Sequence, residues 1–122
     1  EVYQLLSDAY NDFLRVAIDN PDLHLRSDAV TPDLSPEQQE RMLLIFDMLI
    51  SLLERAFLTA HSDKMTPAQR RRWNSWEDFM REWLQRDAFF YRLPHLLKGE
   101  DPEFAAYFQR LAHEVRGIEL PR

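Results

Sequence analysis

The chain contains no cysteine. A disulfide framework, a thiolate metal site and a cysteine nucleophile are therefore excluded, and the composition fits a cytoplasmic setting. Glycine is almost as scarce, with Gly99 and Gly117 the two examples in 122 residues. A β-rich domain of this size needs more glycine in its turns, so the shortage favours helices. Basic charge is also in deficit: 15 Lys and Arg face 21 Asp and Glu, for a net charge of −6. General nucleic-acid binding rests on a basic field, so it is not expected here. Long uncharged apolar runs are missing as well. The most hydrophobic stretch, Met42–Ala60, carries Asp47, Glu54 and Arg55, and its uncharged part, Met48–Leu53, is only 6 residues long. A bilayer span needs about 20 mostly apolar residues, and an Asp within it is costly in lipid. The opening EVYQLLSDAY shows neither the basic nor the apolar region of a signal peptide.

What is present reads as one soluble helical domain covering residues 1–122. Hydrophobic residues make up 45% and charged residues 30%, which is ordinary for a chain that buries a core. There is no initiator Met, and Val2, Leu5, Leu6 and Ala9 are already in helical step. The chain is therefore expected to be a domain cut from a longer protein.

Periodicity predicts a first helix over Val2–Asp19, with Leu6, Ala9, Phe13, Val16 and Ala17 on one face. Asn20-Pro21 ends it, because the residue before proline is pushed out of the α region. The connector Pro21–Leu34 is long for a helical bundle. It holds Leu23, Leu25, Val30 and Leu34, so it is expected to be packed. Three later helices open with a polar cap followed by proline: Ser35-Pro36, Thr66-Pro67 and Asp101-Pro102. Gln38 stands three residues after Ser35, as in a capping box. The second helix should run to about His61, with a narrow polar stripe through Glu40, Asp47, Ser51, Glu54 and Ser62. A helix with so little polar face is surrounded by neighbours, from its own chain or from a partner. The third helix should reach about Arg86. Between Asp87 and Glu100, Pro94 and Gly99 limit the chain to one short helix plus a turn. The last helix should start at Pro102 and end at Gly117. The fold class is thus all-α: four main helices plus one short helix, a bundle around a central hydrophobic second helix.

The candidate site residues are Asp47, Glu54 and Arg55 on the second helix and Trp73, Trp76 and Trp83 on the third. Asp47 and Glu54 are seven apart, so they share a face two turns from each other. They could form a polar site, with one carboxylate as acid and the other as base if a cleft perturbs them. A solvated stripe, or an ion pair that fixes register, is the simpler reading and is favoured. The tryptophans fall near one face with Met80 and Leu84. Core packing is the expected role; a small-molecule pocket would need a cavity and convergent polar groups as well. The hydroxyls of Tyr3, Tyr10, Tyr91 and Tyr107 are expected to reach the surface. Arg70, Arg71 and Arg72 beside Trp73 suggest a phosphate contact, but a solvated first turn suits an acidic domain better. No Glu stands three residues before any of His24, His61, His95 and His113, and no two histidines are three or four apart. Local metal motifs are therefore absent. No catalytic residue, cofactor or metal is assigned.

Four segments carry a resemblance: YNDFLRVAIDNPDL (Tyr10–Leu23), LISLLERAFL (Leu49–Leu58), WNSWEDFMREWLQRDAFF (Trp73–Phe90) and DPEFAAYFQRL (Asp101–Leu111). Together they resemble a group of uncharacterised bacterial helical domains that often follow transmembrane helices. The resemblance implies a domain at the cytoplasmic face, tethered through a membrane segment outside this chain. It carries no catalytic residues. The functional expectation is a non-enzymatic interaction or regulatory module that binds a protein partner or itself. The alternative is a sensor bundle that binds a small molecule through an aromatic pocket.

Overall fold

The computed structural model describes residues 2–117. These form an all-α fold of four long helices and two single-turn helices, with no strand among the described residues. The first long helix, α1, spans Val2–Ile18. The Asn20 side chain closes its C-terminus by donating to the Val16 carbonyl at 2.7 Å. Pro21–Leu23 then make one 3₁₀ turn. That turn drops Leu23 into the core, and Leu25 follows it.

The connector is packed at its two ends but not in its middle. Leu23 and Leu25 are buried and Leu34 is partly buried, but Val30 faces solvent, contrary to expectation. Polar contacts hold the segment instead. Arg41 donates from Nη1 to Asn20 Oδ1 at 2.9 Å and to Asp22 Oδ1 at 3.1 Å, and from Nη2 to Asp22 Oδ2 at 3.1 Å. This fork, with a further bond from Gln38, holds the Asp22 carboxyl down at about 2. At the far side the Asp87 N–H donates to the Asp28 carbonyl at 2.9 Å.

The second long helix, α2, spans Pro36–Ala60, and α3 spans Pro67–Leu84. Both begin with a complete capping box: Ser35 with Gln38, and Thr66 with Gln69. Each box satisfies two backbone N–H groups that the first turn would otherwise leave open. Helix α3 stops at Leu84, slightly before the expected Arg86. The single short helix expected after it is two separate turns, α4 (Asp87–Phe90) and α5 (Leu93–Leu96). Pro94 lies in the first turn of α5, where a missing N–H costs nothing, so it opens a helix instead of breaking one. The last helix, α6, spans Pro102–Arg116; Asp101 caps its start, and Gly117 at φ 67° ends it in the left-handed conformation.

Helix α2 is central: it touches α1, α3, α5 and α6. Its buried face runs from Met42 through Phe57. Helix α3 supplies the bulk opposite it. Trp73, Trp76, Met80, Trp83 and Leu84 are all buried, and Trp83 meets Phe13, Phe46 and Phe89 edge-on. Among the described residues, no helix is long and apolar enough to cross a membrane.

Two tyrosine hydroxyls turn inward, against expectation. Trp83 Nε1 donates to Tyr10 Oη at 2.9 Å, and Trp73 Nε1 donates to Tyr107 Oη at 3.0 Å. A buried indole N–H needs an acceptor, and these two tyrosines provide it. Burial raises the Tyr10 phenol and pushes Tyr107 up to about 12. Tyr10→Phe should destabilise the fold by about 1–3 kcal/mol, because Trp83 Nε1 is left buried without a partner. In a chemical-denaturation double-mutant cycle with Trp83→Phe, a coupling near zero would show that the bond contributes nothing.

Candidate functional site

The carboxylates of α2 meet a third that sequence reading missed. Glu54 is half-buried, and its Oε2 accepts from the Asp101 N–H at 2.6 Å, at the start of α6. Glu100, the residue before that cap, brings its own carboxyl into hydrogen-bond reach of Glu54, with the Asp47 charge also felt nearby. Desolvation first, then the bond to Glu54 and the two neighbouring charges, push Glu100 up to about 7. Two carboxyl groups this close share a proton more easily than they carry two charges. The sequence had singled out Asp47 and Glu54 through their spacing. Glu100 gives no such signal, since only the α5–α6 turn folds it back onto α2.

Arg55 does not join this cluster. It is exposed and lines the groove between α1 and α2 with Met48, Ser51 and Leu52. It makes no ion pair or side-chain hydrogen bond among the described residues. Asp47 is also exposed. The three charged residues of α2 therefore do not form a single site: Glu54 turns toward α6, and Arg55 toward the open groove.

The tryptophans pack in the core. Trp73, Trp76 and Trp83 are 0%, 3% and 1% exposed. Surface cavities lie elsewhere. One of about 290 Å³ sits between the end of α1 and the connector, lined by Leu14, Ala17, Ile18 and Leu25, with His24 and Arg26 at its polar side. Another of about 370 Å³ lies beside His61 and Tyr107. His61 stacks on Phe57 at 4.7 Å and meets Trp73 edge-on at 5.2 Å; burial lowers its pKa. Among the described residues, no three His, Asp or Glu side chains stand where they could hold a metal ion together. Arg70, Arg71 and Arg72 are exposed, and Arg72 lies 5.4 Å from the centre of the Tyr3 ring.

One buried charge was also unforeseen. Arg86 is 5% exposed, with its guanidinium 4.1 Å from the centre of the Trp83 ring. Its Nε and Nη1 have no hydrogen-bond partner among the described residues. Desolvation, then the nearby Arg26 charge, lower its pKa. The cation–π contact offsets part of the burial cost, but uncompensated N–H groups remain expensive.

No protein-family model matches the chain, and no curated protein or solved structure matches it.

Two measurements check this electrostatic picture. A carboxyl raised in the folded state is protonated there more readily than in the unfolded chain. Glu100 therefore costs nothing below the usual carboxylate range, and its penalty grows as pH rises through about 7. Glu100→Gln should remove that penalty, stabilising the protein above pH 7 by on the order of 1 kcal/mol after solvent screening, with little gain at low pH. Equal melting curves for the variant and wild type at high pH would contradict it. Arg86→Met keeps the apolar contact and removes the unpaired charge. It should raise the melting temperature, by about 1 kcal/mol of stability, and a lower melting temperature would mean the cation–π contact outweighs the desolvation cost.

Proposed function

We propose that the protein is a non-enzymatic helical interaction module and that α2 is its docking helix. The observation that carries this reading is the outward stripe of α2. Leu44, Met48 and Leu58 are 60%, 49% and 55% exposed on the helix whose other faces build the core. With Ser51 and Arg55 they recur at steps of four, three, four and three residues. That spacing is how an amphipathic helix presents anchors to another helix. The groove beside the stripe, about 300 Å³, extends the apolar surface toward Ala9 and Val16 of α1. A tether at the cytoplasmic face of a membrane, through a segment outside this chain, belongs to the same proposal and is supported by the resemblance described above.

The cavity between α1 and the connector favours a second reading, a small-molecule sensor. Its apolar walls and its His24 and Arg26 edge suit an apolar ligand with one polar end. On this reading the ligand sits away from the tryptophans.

The test of the docking reading is a photo-reactive phenylalanine analogue placed at Met48, with Gln109 on α6 as the control position, in cells of the source organism. Covalent adducts at 48 and none at 109 are expected. An absence of adducts at both positions, with the protein folded and abundant, would remove α2 from any interface.

A further inference from the structure

We infer that the occupant of the α2 face is a second copy of this chain, packed antiparallel across a two-fold axis at Ser51. This rests on the docking reading above and adds the identity and register of the partner. The argument is the symmetry of the exposed residues about one position. Leu44 and Leu58 each lie seven residues from Ser51, and Asp47 and Arg55 each lie four residues from it. In an antiparallel pair centred on Ser51, each residue stands at the height of the one equally far on the other side. Leu44 of one copy then meets Leu58 of the other, and Asp47 meets Arg55, twice each.

Four observations support this register. All five residues are exposed. Neither Arg55 nor Asp47 makes an ion pair among the described residues, and the Asp47 charge is felt at Glu100, a like charge. The symmetric pairing brings opposite charges together, whereas an antiparallel register slipped by one turn in either direction loses the Asp47–Arg55 pairing. Ser51 is small, so the two backbones can approach closely at the axis. Glu54, level with Met48 of the other copy, is committed to the Asp101 N–H and stays on the flank. The apolar contribution is modest, three large side chains per copy. A standard interface buries about 800 Å² on each side, and this contact is smaller, so the dimer is expected to be reversible and concentration-dependent.

The chain has no native cysteine, which allows a direct test. In Ser51→Cys the two-fold axis brings the two sulfurs within bridging distance. Mild oxidation should then give a disulfide-linked dimer at least about ten-fold faster than Gln109→Cys on α6, because pre-association raises the effective concentration. Light scattering over a concentration series supplies the second arm. Wild type should move from monomer to dimer. Asp47→Arg and Arg55→Asp should each keep the chain monomeric, and the double exchange should restore the dimer. Ser51→Cys leaves the charges untouched, so it still decides the matter if an exchanged variant fails to fold. Monomer at every concentration with no preferential cross-linking at 51 overturns the inference. So does a dimer indifferent to both exchanges. If the Met48 probe captures a different protein while the chain stays monomeric, the docking face stands and self-association does not.

Discussion

The fold depends on the two tryptophan N–H groups of α3 and on where they find acceptors. Trp83 reaches Tyr10 on α1, and Trp73 reaches Tyr107 on α6. Each bond fixes the height of one long helix against α3. Both indoles are buried, so the alternative to these bonds is an unsatisfied donor in an apolar interior. Tyr107 passes the constraint on by donating to Glu77 Oε2 at 3.1 Å, and Arg81 bridges Glu77 to Glu114. The aromatic rings around these bonds, Phe13, Phe46, Phe57 and Phe89 among them, meet the tryptophans mostly edge-on, the arrangement aromatic quadrupoles prefer. With α1, α3 and α6 set in this way, α2 is enclosed on three sides. The one direction left open is the stripe through Ser51.

Local signals in the sequence located the helix starts well, because each start is encoded within four residues. Ser35-Pro36, Thr66-Pro67 and Asp101-Pro102 all mark observed N-termini. The second capping box, Thr66 with Gln69, follows the same rule as the first and could have been read from its spacing. Pro94 misled because a proline both ends and begins helices. Leu93-Pro94 opens α5, and what separates it from α4 is the turn at Tyr91-Arg92. The burial of the tryptophans was also legible from their helical spacing. The direction of the Tyr10 hydroxyl was not, since its partner lies 73 residues away.

The candidate site was less legible for the same reason. Asp47 and Glu54 share a face by their spacing, but Glu100 reaches them only through the α5–α6 turn. The amide of Asp101 belongs to the open N-terminus of α6, where the helix dipole favours an acceptor carboxylate. Glu54 fills that role, and the strain of adjacent carboxylates then falls on Glu100. The acidic cluster is thus a joint between α2 and α6 before it is anything chemical. Arg86 follows a similar logic. Its backbone carbonyl accepts from Phe89 and Phe90 to start α4, and that placement carries a charged side chain inward over Trp83.

Stability and surface are separable in this molecule, and the separation gives the α2 stripe its meaning. The core residues of α2, such as Leu49, Ile50 and Leu53, are fully buried against neighbouring helices. Trimming one of them to Ala would cost about 2–5 kcal/mol, a large part of the stability of a domain this size. Leu44, Met48 and Leu58 have no such obligation. Exposed apolar side chains scattered singly are unremarkable on any protein. Three of them in helical register on the central helix, with Asp47 and Arg55, which make no ion pair among the described residues, placed evenly around Ser51, are a pattern that folding alone does not require. A polar residue at 44, 48 or 58 would leave the core contacts of α2 intact. On the docking reading proposed above, the leucines and methionine at these positions serve a contact made after the helices have packed.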